Sequence, residues 1–182
     1  MAAINPVSSI ERQSLLRRFT GKFRHQKPSK LSGESLSKQD VQRLITAANK
    51  LGRSGLRDAT IIMMAYAHGL KVSEITNLKW CHLDLDKGTL LVSRLKNGRK
   101  TIHPLTDLEI DELRKLENSN PNLVYVFVTE HNSPLTDSHI RQLIRKAGKE
   151  AGLRLEIDPE MLSSACKYNF IYNRQMLPSI QH

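Results

Sequence analysis

The sequence predicts a mainly helical α+β fold in which helices surround a small three-stranded antiparallel sheet, and two patterns carry that expectation. Apolar residues at helical spacing run through Ile61, Met64 and Ala65 up to Gly69 and resume at once in Val72, Ile75 and Leu78, so two helices meet at a glycine corner. Beyond Trp80 the period shortens to alternation, and Asn97-Gly98 stands between two alternating apolar runs, a strong hairpin signal.

Length and charge set the outer limits. A chain of 182 residues is one globular domain plus tails, long enough to bury a core without cross-links. The net charge of +10 and pI near 9.8 point to an anionic partner, most often nucleic acid, although a solvated basic surface has the same average. No apolar run reaches bilayer-spanning length, and Met1 to Pro6 has no signal-peptide architecture, so a cytoplasmic protein with no membrane partner is expected. Cys81 and Cys166 make no disulfide framework and are expected to be buried small residues. The adjacent Cys81-His82 lacks companion ligands, and neither a metal nor a cofactor is expected.

The elements follow in order. Residues 1–35 are expected to form a flexible basic arm, with a short helix over Ile10 to Phe19 and a Lys-, Ser-, Pro- and Gly-rich stretch from Gly21 to Gly33. Such an arm either contacts phosphates or is an inert tail. Ser37 and Asp40 read as a capping box opening a helix through Val41, Leu44, Ile45 and Ala48, which ends over Gly52 to Gly55. Leu56 to His68 forms the next helix and leads into the corner, where Lys71 is the charged residue, unfavourably placed for the positive end of the following helix. Strands are expected at Leu83 to Asp86, Thr89 to Leu95 and Lys100 to Pro104, with turns at Asp86-Lys-Gly88 and Asn97-Gly98. The hairpin tip carries Lys96, Arg99 and Lys100, which read either as anion contacts or as the charges that keep an edge strand soluble. A helix over Leu108 to Leu116, a loop over Asn118 to Asn122 and a short β-branched run over Val124 to Val128 follow. The Asp137 to Ala151 helix, closed by Gly152, places His139, Arg141, Gln142, Arg145, Lys146 and Lys149 around an apolar seam. Arg141, Arg145 and Lys149 share one face, either an anion-binding stripe or a solvated one.

The stretch Ala65 to Trp80 resembles the first catalytic box of the tyrosine recombinase (phage integrase) family. Tyr66, Gly69, Leu70, Val72, Ser73, Glu74, Ile75 and Leu78 fit it, and Lys71 stands where the family has its first catalytic arginine. His103-Pro104-Leu105 is similar to the family's x-Pro-Leu strand end, which places Lys96 on the hairpin lysine that protonates the departing sugar oxygen. The helix corresponding to Asp137 to Ala151 lies close to DNA in the family. Ile157 to Cys166 keeps the frame of the second box, with Pro159 at a helix entrance, Leu162 inward and small Ala165 and Cys166 packing. Its working residues differ: Glu160 occupies the first histidine place, Ser163 the arginine place and Ser164 the following histidine.

The resemblance implies that residues 36–182 form a tyrosine recombinase catalytic-like domain, similar to the short fimbrial phase-variation recombinases. The family's later Leu-Gly-His/Trp box and nucleophilic tyrosine are expected beyond His182, making this a degenerate and truncated copy. The family makes a covalent 3′-phosphotyrosine and holds the developing charge with paired guanidinium forks. The expectation is therefore a double-stranded DNA binder, associated with site-specific recombination and integration, that does not cut. Lys96, Arg99, Lys100, His139, Arg141 and Arg145 would hold the duplex, with other recombinase subunits as further partners. Two alternatives stay open. One is an active subunit using a tyrosine supplied in trans, or Tyr168 or Tyr172 of this chain; the other is an interaction remnant without DNA affinity.

Overall fold

The computed structural model describes residues 36–93, 100–119, 121–153 and 156–166. The expected arm, the Asn97-Gly98 turn, Lys96, Arg99, Tyr168 and Tyr172 lie outside these residues.

Helix α1, Lys38–Lys50, opens on the anticipated capping box: Asp40 N–H donates to Ser37 Oγ and Ser37 N–H to Asp40 Oδ2, each at 3.1 Å. It buries Val41, Leu44, Ala47 and Ala48 against α2, Gly55–His68, and against α5, described below. A side chain at Gly55 would bring its Cβ to 2.2 Å from the Asn49 carbonyl oxygen, so only glycine lets the two helices turn this closely. Helix α2 is the central element, and Ile61, Ile62, Met64 and Ala65 are wholly buried on it. Gly69 ends it at φ +60°, the left-handed conformation that glycine takes without a Cβ penalty.

Helix α3 covers only Val72–Thr76, shorter than the spacing of Val72, Ile75 and Leu78 predicts. The chain leaves the helix because another partner claims its backbone. Leu78 C=O accepts from Val126 N–H at 3.0 Å, Trp80 N–H donates to Val124 C=O at 3.1 Å, and Lys79 bridges Tyr125. Leu78 is still buried, delivered from this paired segment rather than from a helix. The β-branched run at 124–128 accordingly makes isolated bridges instead of joining the sheet.

A short 3₁₀ turn, Trp80–His82, skirts the surface and leaves Cys81 exposed, correcting the expectation of a buried thiol; Cys166 is half-buried. Strands β1 (Leu83–Asp84), β2 (Thr89–Ser93) and β3 (Lys100–Pro104) form the expected antiparallel sheet in the order β1-β2-β3. The first strand is shorter than predicted, since Lys87 N–H turns back to Asp84 Oδ1 at 2.8 Å and Gly88 takes φ +64°. Leu90 and Val92 face inward opposite His103 and Thr101, while Ile102, opposite Leu91, is exposed.

Helix α4, Asp107–Ser119, runs past the predicted end into the expected loop and packs on α2. Helix α5, Asp137–Glu150, is capped by Thr136 and buries Ile140, Leu143, Ile144, Ala147 and Gly148. Leu153 N–H reaches back to Gly148 C=O at 3.1 Å past Gly152 at φ +63°. Helix α6 occupies 159–166. One hydrophobic cluster, including Leu44, Ile75, Leu90, Phe127, Ile144 and Leu162, joins these elements. Among the described residues, no helix is long and apolar enough to cross a membrane.

Candidate functional site

The corner after α2 fixes Lys71 through its backbone. Lys71 is extended (φ −81°, ψ 160°), caps α3, and donates its N–H to Glu74 Oε2 at 2.9 Å. Its side chain is exposed and has no ion-pair partner among the described residues. A cation here gains nothing from the positive end of the helix beside it.

Helix α6 packs beneath this corner. The Cys166 thiol donates to Ala67 C=O at 3.3 Å, and a Cβ on Gly69 would lie 3.5 Å from Cys166 Sγ and 3.7 Å from Ser163 O. The fold thus brings together the two stretches that the sequence resemblance singles out. Ser163 is buried, and its hydroxyl donates to Glu160 C=O at 3.1 Å. The place expected to hold an arginine therefore carries a neutral hydroxyl turned back on its own helix. Glu160 and Ser164 are exposed.

The entrance of α6 is tied to the basic face of α5. Asp158 caps α6, its Oδ1 accepting from Glu160 N–H at 2.9 Å, while its Oδ2 accepts from Arg141 Nη1 at 3.0 Å. Arg145 Nε lies 3.2 Å from Glu156 Oε1. Two of the three stripe residues are thus met by carboxylates of this chain, and Lys149 remains exposed without an ion-pair partner among the described residues. His139 is exposed, but its Nδ1 lies 3.3 Å from Thr136 N, where it accepts the N–H, and 3.0 Å from Thr136 Oγ1, completing the cap of α5. Lys100 is exposed at the start of β3, paired in register with Ser93. No group of His, Cys, Asp and Glu suited to a metal occurs among the described residues; His82 Nδ1 instead takes Lys79 N–H at 3.3 Å.

One polar joint under the corner escaped sequence reasoning. His68 Nε2 lies 3.0 Å from Glu109 Oε1 with both side chains buried, and the His68 and His103 rings stand 5.4 Å apart. Burial pushes the Glu109 carboxyl up, but the bond to and charge of His68 and the Thr106 N–H and hydroxyl outweigh it and hold it below its ordinary value. The spacing Thr106-x-x-Glu109 is a capping-box signature that could have marked Glu109, though nothing local marks His68 as its partner.

Comparison with known proteins bears on what this arrangement is. Residues 34–182 match the sequence profile described as the phage integrase family. The type 1 fimbriae regulatory protein FimE of Escherichia coli (strain K12) is 34% identical over 139 residues, covering 73% of this chain and 70% of FimE. Among solved structures, the XerA recombinase superposes with a TM-score of 0.67 at 23% identity, covering 83% of this chain and 58% of that one. A lambda integrase dimer bound to a COC' core site superposes with a TM-score of 0.60 at 19% identity, covering 85% of this chain and 47% of that one. At these identities the structural likeness concerns the fold.

Proposed function

Because the chain belongs to the phage integrase family, we propose that it binds duplex DNA as part of site-specific recombination and integration without cutting the strand itself. The basic balance of +10 and the DNA-bound lambda integrase structure support the DNA half of this reading. Residues 36–182 act as a recombinase catalytic-like domain, preceded by a basic arm over residues 1–35, in a cytoplasmic protein that works beside other recombinase subunits. Lys71 and Lys96 face the scissile phosphate, and Lys100, Arg99, His139, Arg141 and Arg145 hold the flanking backbone.

A single observation carries the other half: Ser163, beneath the Gly69 corner, is buried and bonded to Glu160 C=O. Cleaving a phosphodiester develops negative charge on the nonbridging oxygens, which fixed cations must hold. Lys71 supplies one positive charge but not the bidentate fork of an arginine. Ser163 supplies none, and exposed Glu160 adds a negative one. Losing a single preorganised donor costs about a hundred- to a thousandfold in rate, so the joint loss leaves no useful strand cleavage.

Fluorescence anisotropy on a labelled duplex tests the binding half. Log affinity is expected to fall linearly with log salt, by about 0.9 for each phosphate neutralised, and a flat salt response would overturn it. A nicked duplex that traps covalent intermediates tests the other half. No protein–DNA adduct is expected with this chain alone or mixed with a cleavage-competent recombinase; an adduct containing this chain would show that it cuts.

A further inference from the structure

Arg141, Arg145 and Gly148 share one face of α5 by their helical spacing. Residues 156–158 lie against that face, anchored by their middle member. Ile157 is buried, and a Cβ on Gly148 would come within 2.9 Å of Ile157 Cγ1, so the segment sits against bare helix backbone. The residues on either side carry carboxylates to the two guanidiniums, Glu156 to Arg145 at 3.2 Å and Asp158 to Arg141 at 3.0 Å. Asp158 is fixed a second time, because its other oxygen caps α6 through Glu160 N–H. Arg141 and Arg145 nevertheless keep 38% and 48% of their side-chain surface open to solvent, so an outside anion can reach them.

These features make two anions already in place on the face where DNA would supply phosphates. We propose that Glu156 and Asp158 compete with DNA phosphate for Arg145 and Arg141, forming an autoinhibitory clasp that lowers the chain's resting affinity for duplex. The proposal rests on the DNA-binding reading above. Asp158, whose position is set by buried Ile157 beside it and by the helix cap, loses little further freedom in meeting Arg141, which makes it a stronger competitor than a free side chain. DNA then exchanges for the carboxylates without unseating α6, since neither the Ile157 anchor nor the cap depends on the arginines.

The test is the double variant Glu156→Gln/Asp158→Asn of the full chain, titrated against a fluorescein-labelled duplex at fixed ionic strength. Asparagine keeps the cap of α6 and removes only the charge. Releasing two exposed pairs is expected to tighten binding about tenfold. Glu150→Gln, on the same helix and outside the clasp, is expected to change it by less than about twofold. In an Arg141→Ala/Arg145→Ala background the gain is expected to vanish, because the carboxylates then have nothing to withhold. Binding seen only in the double variant also supports the clasp. An equal gain in both backgrounds overturns the clasp in favour of a net-charge effect. No gain, in a parent that binds through Arg141 and Arg145, overturns the clasp and leaves the DNA reading standing. If neither parent nor variant binds, both fall.

Discussion

His68 and Glu109 approach to 3.0 Å beneath the corner, and Arg141 and Asp158 approach to 3.0 Å at the mouth of α6, yet the surroundings differ. The first two side chains are 4% and 2% exposed, the second two 38% and 37%. In the interior no solvent replaces a lost partner, so the survivor keeps its full desolvation penalty. At the surface, water and salt replace it at once, and the pair contributes little to folding. Equal length therefore hides opposite roles: the buried pair joins α2 to α4, while the exposed pair is weak enough to be exchanged.

The largest effect expected from this contrast is on folding. Glu109→Ala should lower the unfolding free energy by about 3 to 5 kcal/mol, since it takes the carboxylate away from buried His68 and removes the Thr106 cap as well. Arg141→Ala should cost less than about 1 kcal/mol. Urea unfolding of both variants checks the comparison, and similar losses would break it. The pH dependence sharpens it. The folded pKa of Glu109 lies below its ordinary value of 4.5, so its contribution is present above that value and is lost as pH falls through the folded one. Glu109→Gln should flatten this acid limb. Asp58 works in the other sense: burial raises its pKa above 3.8 despite the adjacent Arg57 and Lys146, so its contribution is full below 3.8 and is lost as pH rises through the folded value.

What was legible in the sequence follows the same divide between local and long-range. The Ser37 and Asp40 cap, the glycine corner at Gly69, the Gly88 turn and the buried seam of α5 each depend on residues a few positions apart, and each formed as read. The length of α3 did not, because distant Val124 and Val126 claim the backbone beside Leu78. The burial of Cys81 failed for a related reason, since nothing local tells that its turn runs along the surface. In the site, the sequence marked Lys71 and the frame around Pro159, Leu162 and Ala165, and the structure sets the helix that carries this frame against the corner through Ser163 and Cys166. It also marked Arg141 and Arg145, but their carboxylate partners sit on another element, joined across 17 residues in the first case. A stripe of arginines reads the same whether it faces solvent, phosphate or an internal carboxylate. Only the fold distinguishes them.

A smaller effect is expected where 156–158 meets α5. Helix propensity alone favours Gly148→Ala by about 1 kcal/mol, whereas forcing a methyl group into a filled contact costs about 1 to 3 kcal/mol. The new Cβ would stand 2.9 Å from Ile157 Cγ1 and 3.4 Å from Ile157 Cβ, near the root of that side chain, where rotation gives no relief. A net loss of about 1 kcal/mol in urea unfolding is expected, and a gain would mean that the anchor yields freely.

The smallest effect separates the two oxygens of Asp158. Asp158→Ala removes both the cap of α6 and the charge facing Arg141, and should cost about 1 kcal/mol through the cap. Asp158→Asn keeps an oxygen for Glu160 N–H and should cost a few tenths of that at most. Thermal unfolding of the two, measured at low and high salt, tells which oxygen matters to the fold. A gap between Ala and Asn that persists in high salt belongs to the cap, since screening hardly touches a hydrogen bond to the backbone. A gap that closes with salt would instead assign the stability to Arg141, and the exposed pair would then resemble the buried one more than its 38% exposure allows.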